Sequence, residues 1–272
     1  MSRTRTVALL LLAAGCGPTT PTTPSAPNQA TAVAAASKAV QTAEVKPPPA
    51  ITPTATADLP AATAAATKLL AALQAGAADV SAVAPEFQKV LAGGDDGKAA
   101  WATEQYLRTF AGKVSPTAPA VAALPDGSVL AVAPPTPGSG RVVLKLTKAG
   151  DIWQAAWLHQ GPAGPVPELA AGPDLAQRFA VAAFVEPALA NQPRLAEAAL
   201  TAAGRAAVAP PLGNDPLGFS RGILSQKLAN FRGAATGYIL TGSAGELIEP
   251  NGDKRPFKLI PTTGGVADFE PR

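Results

Sequence analysis

The sequence predicts an α+β protein built as two tandem modules, each a set of helices packed on an antiparallel sheet, behind a disordered N-terminal stalk. Three observations carry this reading. Apolar residues recur at helical spacing and then in short strand-length runs across residues 58–163, and the same order returns across residues 173–272. The connector from Gly161 to Gly172 carries Pro162, Pro165 and Pro167, the composition of a module boundary. Residues 16–57 are rich in Pro, Thr and Ala and hold no aromatic side chain, so they cannot bury enough apolar surface to offset the entropy of ordering.

The chain begins with Arg3 and Arg5, an uncharged apolar run from Val7 to Leu12, and the small residues Ala13, Ala14 and Gly15 before Cys16. This is the plan of an export signal over residues 1–15, and its apolar run is too short to span a bilayer. The segment resembles the lipobox of bacterial lipoproteins, in which a Cys directly follows a small residue. The family's usual Leu three positions before the Cys is Ala13 here, with Leu12 one step earlier. The resemblance implies that Cys16 carries diacylglycerol and becomes the first residue of the mature chain. Cys16 is the only Cys in 272 residues, so it has no disulfide partner within the chain. Two or three acyl chains anchor stably where one does so marginally. The expected address is the cell membrane or outer membrane, facing periplasm or exterior, with residues 16–57 as a spacer.

Helical spacing predicts a first helix from Pro60 to Ala75, ended by Gly76. A turn from Asp79, a helix from Pro85 to Gly93-Gly94 and a third helix from Lys98 to Ala111 follow. Strands are expected at Ala120 to Leu124, Val129 to Val132, Val142 to Leu146 and Ile152 to Leu158, with turns at Asp126-Gly127 and Gly150-Asp151. In the second module Asp174 opens a helix to Leu189 that Pro187 should break. Pro193 opens another, closed by Gly204, and Asp215-Pro216 a third that carries Leu224, Leu228 and Phe231 on one face. Four more strands complete the pattern, at Tyr238 to Thr241, Glu246 to Glu249, Phe257 to Ile260 and Val266 to Phe269. Asn251-Gly252 and Gly264-Gly265 supply turns. The helix-first order, the break at Asp79 to Glu86 and the hairpin of Val142 to Leu146 with Trp153 and Trp157 resemble the NTF2-like (cystatin-like) family. That resemblance implies a curved sheet and a cone-shaped pocket between sheet and helices, catalytic in some members and used for binding or assembly in others.

Composition excludes several functions. Without Arg3 and Arg5, 20 basic residues stand against 19 acidic ones, so no electrostatic footprint for nucleic acid exists. One His and one Cys leave no metal site of His and Cys, carboxylate-only sites for hard cations stay open, and no cofactor is expected. Gly218-Phe219-Ser220-Arg221-Gly222 matches G-x-S-x-G, but the residues before it are Pro-rich and the sole His precedes the Ser, so no nucleophile elbow is read there. Gly93-Gly94-Asp95-Asp96-Gly97-Lys98 would set two carboxylates where a phosphate must lie, so it reads as a solvated loop. Lys254, Arg255 and Lys258 lie opposite Glu246 and Glu249, which cross-strand ion pairing explains.

The candidate pocket is Trp153, Trp157 and His159, which alternate on one face of a regular strand. The plainer reading makes the Trp pair core and His159 a surface residue at the strand end. No catalytic residue is assigned. The preferred function is a non-catalytic binding or cell-envelope assembly module, tethered through Cys16, with a protein or small-molecule ligand not specified by the sequence. One alternative is an NTF2-like enzyme using His159 with Asp151 or Glu104. Another is a protein-interaction module using an exposed sheet edge. The Cys16→Ser chain is expected to lose all labelling by radioactive palmitate in its host; persistence of label would remove the lipid anchor from this account.

Overall fold

Helix α1 (Leu59–Gln74) opens with Pro in its first turn and buries Ala62, Ala66, Leu69, Leu70 and Leu73, one stripe at helical spacing. The computed structural model in which it is seen describes residues 58–208, 216–241, 244–262 and 265–271. The expected signal peptide, Cys16, the linker and the Asp215 cap lie outside these residues. Helix α2 (Pro85–Ala92) starts at a Pro and stops at Gly93, whose φ of 68° suits a residue without Cβ. Helix α3 (Ala99–Arg108) buries Thr103 and Leu107. Asp79 caps the short turn before α2 by accepting from the Ser81 N–H at 2.7 Å.

Strands β1 (Ala120–Ala123), β2 (Val129–Ala133), β3 (Val142–Ala149) and β4 (Ile152–Gln160) form an antiparallel meander in chain order. One face, with Ala131, Ala133, Val142, Leu144, Leu146, Ala155 and Leu158, packs on α1 to α3. The free edge of β4 is stitched to the helices: the Ala84 N–H donates to the Ala155 carbonyl at 2.9 Å, and the Tyr106 hydroxyl to the Leu158 carbonyl at 2.9 Å.

The other face of this sheet is also buried, which is why Val129 to Ala133 and Val142 to Leu144 read as unbroken apolar runs. Leu130 and Val143 meet Leu175 and Ala182 of helix α4 (Leu175–Leu189). Eleven of the fifteen residues of α4 are buried, and from Ala180 to Leu189 it has no solvent face. On its other sides α4 presents Phe184, Val185 and Ala188 to a second core that includes Phe231 of helix α7 (Pro216–Arg232). That core is closed by a second antiparallel meander, β5 (Gly237–Thr241), β6 (Ala244–Ile248), β7 (Lys254–Thr262) and β8 (Gly265–Pro271). Here β7 alternates, with Phe257 and Leu259 inward and Lys258 and Ile260 outward, as expected of a sheet covered on one side. Among the described residues the fold is thus mixed α+β, with seven helices and two four-stranded sheets. No helix among them is long and apolar enough to cross a membrane.

Two elements differ from expectation. Pro187 does not break α4, because it lies in the last turn, where only one backbone bond is lost before the helix ends at Leu189. The helix expected from Pro193 to Gly204 is instead two, α5 (Pro193–Ala198) and α6 (Ala202–Val208). Between them the chain leaves helical geometry to pair with β8. The Val266 N–H donates to the Ala199 carbonyl at 2.9 Å, and the Thr201 N–H to the Val266 carbonyl at 3.0 Å. Tertiary pairing has overridden alanine-rich helix propensity.

Because α4 belongs to both cores, Phe184→Ala is expected to cost about 3–5 kcal/mol and to lower the whole unfolding transition. All three Trp residues precede α4 in sequence, Trp101 on α3 and Trp153 and Trp157 on β4, so their fluorescence reports the first half of the described chain. A shift of that signal in urea titrations checks the coupling; an unmoved Trp transition would show that the two cores unfold independently.

Candidate functional site

The principal polar cluster of the interior lies where α4 crosses the first sheet. Glu186, on α4, is fully buried. Its Oε1 accepts from Nη2 of Arg141, which immediately precedes β3, and from the hydroxyl of Tyr238 on β5 at 3.0 Å. Its Oε2 accepts from Nε2 of His159, near the end of β4, at 3.1 Å, with Nε of Arg141 at 3.4 Å. Nδ1 of His159 accepts from the Trp157 indole N–H at 2.8 Å. An indole N–H can only donate, so Nδ1 holds its lone pair and the ring proton sits on Nε2, directed at Glu186. Nη1 of Arg141 is spent on the Pro167 carbonyl at 2.7 Å.

This is a closed account of donors and acceptors. Burial by itself would push the Glu186 carboxyl up, but the His159 hydrogen bond and the Arg141 charge hold it below the usual carboxylate range. Burial, then the Glu186 charge, push the Tyr238 phenol well up, so it stays a donor. The carboxylate approaches the chain so closely that a Cβ on Gly161 would fall 2.5 Å from Oε2. The glycine at the boundary between the two halves is therefore a steric requirement of the cluster.

The expected pocket residues are not brought together. The pairing of β3 with β4 shifts register, so that Lys145 lies opposite Trp157 and Leu146 opposite Ala155, leaving Ala156 as an extra residue. Lys148 lies opposite Trp153 and, three residues from Lys145, belongs to the other face. The bulge therefore parts Trp153, which packs on the α1 to α3 core, from His159, which reaches Glu186 on α4. Trp157 packs against both cores, its ring centre 5.4 Å from that of Phe87 on α2, and donates to His159. His159 is not a surface residue at the strand end: it is fully buried. Neither carboxylate considered for it is its partner. Asp151 lies at the far end of β4, about 25 Å away at ~3.3 Å per residue, and Glu104 pairs with Arg108.

Glu186 was missed although a mark of it stands in the sequence, as the one charge between Arg178 and Arg194. A lone carboxylate in an apolar helix must find buried partners. The remaining motifs behave as solvated or helical segments. Asp95 pairs with Lys98 at 2.9 Å, and Lys254 with Glu246 at 3.2 Å. Gly218 to Gly222 lies inside α7, so no elbow exists there, while the Ser220 side chain lies outside the described residues. No group of three or more His, Cys, Asp or Glu among the described residues could hold a metal ion.

Beside the cluster, on the same face of the first sheet, a cavity of about 450 Å³ lies between sheet and α4. Its walls are Trp157, Ala156, Leu124 and the α4 stripe Ala176, Phe179, Ala180 and Ala183, with Asp126 and Lys145 among the lining residues. No protein-family profile matches this chain, and no curated protein or solved structure is significantly similar to it.

Glu186→Gln is expected to cost about 3–5 kcal/mol near neutral pH, because it leaves the Arg141 charge buried without its counter-ion. The folded-state pKa of Glu186 is lowered, so its stabilisation is full above the unfolded value of about 4.3 and is lost as pH falls through the folded value. The gap in stability between wild type and Glu186→Gln should be constant above about pH 5 and close in stronger acid. Urea titrations across pH 2.5–7 check this; a gap that widens in acid would reverse the assignment.

Proposed function

We propose that the protein is an exported lipoprotein, anchored through Cys16, that works by binding rather than by catalysis. Residues 1–15 are its signal, 16–57 its linker, and 58–163 and 173–272 two tandem modules of helices on a sheet. The observation that carries the non-catalytic reading is the closure of the Arg141–Glu186–His159–Tyr238 cluster. A general acid or base must reach a substrate atom within hydrogen-bond distance. Both nitrogens of His159 and both oxygens of Glu186 are already occupied, and neither side chain meets solvent. The groups come from two strands, a helix and the edge of the second sheet, so their conjunction supports a joint between the two halves. The adjoining mostly apolar cavity, with few polar groups, has the size and character of a small-molecule binding site.

Lipid-anchored protein isolated gently from its own host is expected to retain a non-covalent ligand or partner detectable by native mass spectrometry. The His159→Gln form should retain the same mass. A retained compound that the wild type converts and His159→Gln leaves unconverted would establish the enzyme instead.

A further inference from the structure

We infer that the cavity between the first sheet and α4 binds a single-chain amphiphile with a monoanionic head, of the class of medium-chain fatty acids, and that Lys145 receives the head. This deepens the binding reading and rests on it. The walls are made of Trp157, Phe179 and the alanines of α4, surfaces that offer an alkyl chain dispersion contacts and no unpaired polar group. A space of about 450 Å³ falls in the range of small-molecule sites. That suits a chain of medium length.

The charges in the lining set the polarity of the head. Lys145 is the more enclosed of the two, its side chain 22% exposed against 54% for Asp126. Its ammonium lies 5.9 Å from the centre of the Phe179 ring and donates to Asp126 at 2.8 Å. One of its three N–H groups is thus engaged, and the others can meet a carboxylate. Asp126 is tied back to its own turn by the Ser128 N–H at 3.0 Å and by the Ser128 hydroxyl. The inner charge is therefore a cation with spare donors, and the outer charge a carboxylate that restrains it. The bulge at Ala156 opens the floor: it puts Trp157 on the α4 side and inserts a small residue where a larger one would fill the space.

The test is isothermal titration of the full chain carrying Cys16→Ser, so that no acyl group of its own competes, with octanoate, decanoate, dodecanoate and dodecanol. One site per chain is expected, with affinity rising about fourfold per added CH₂ along the carboxylates. Lys145→Met should weaken dodecanoate at least tenfold and leave dodecanol unchanged, while Asp126→Asn should tighten dodecanoate. Ala180→Phe should remove both ligands, with circular dichroism and thermal unfolding confirming that each variant is folded. Binding of dodecanoate that ignores both Lys145→Met and Ala180→Phe would overturn the site, and equal loss of dodecanol in Lys145→Met would overturn the role of the head group. No binding of any of the four, alongside a retained mass of other chemistry in protein from the host, would overturn this inference and leave the binding reading standing.

Discussion

A carboxylate buried in the last turn of α4 constrains the rest of the molecule. Removing Glu186 from water is costly, and the cost is met only if three donor side chains arrive from separate parts of the chain. Arg141 must enter β3, His159 must end β4 facing α4, Tyr238 must begin β5, and Gly161 must carry no side chain. Each condition fixes a backbone position, and together they set α4 against one sheet and the second sheet against α4. Such a pair adds little net stability compared with a well-packed apolar one. What it contributes is a unique register, because any slip leaves a charge without a partner.

The same constraint explains why the two cores are continuous. A helix hydrophobic on one side can serve one sheet; α4, buried on all sides from Ala180 on, serves two. The first sheet is consequently covered on both faces, and its β4 edge is sealed by the lead-in to α2. The second sheet has its β5 edge closed by the connector, where the Tyr238 N–H donates to the Pro165 carbonyl at 2.8 Å. The connector that reads as a boundary in sequence is therefore also an edge cover.

The bulge at Ala156 links architecture to site. One extra residue reverses the facing of everything after it, so His159 turns to α4 and Trp157 packs against both cores, while Trp153 stays with α1 to α3. Without it the strand would carry all three side chains on one face, and His159 could not reach Glu186 with Trp157 beside it. The bulge also leaves a small residue on the floor of the cavity. Joint and cavity are thus two consequences of a single local irregularity.

Much of this was legible in the order of residues. Proline at helix starts, glycine with positive φ at helix ends and apolar runs of strand length mark the elements, because their causes act within a few residues. The order of helices before four strands, twice, follows from the same local signals, although the second half holds four helices where the spacing suggests three. What the tertiary structure alone decided is everything that depends on distant partners. These are the splitting of α5 from α6 by pairing with β8, the bulge that reverses β4, the burial of His159 and the choice of Glu186 over nearer carboxylates. Alternation along a strand is a local rule, but whether a bulge interrupts it depends on the neighbouring strand. Whether a charge is buried depends on which helix lies across it.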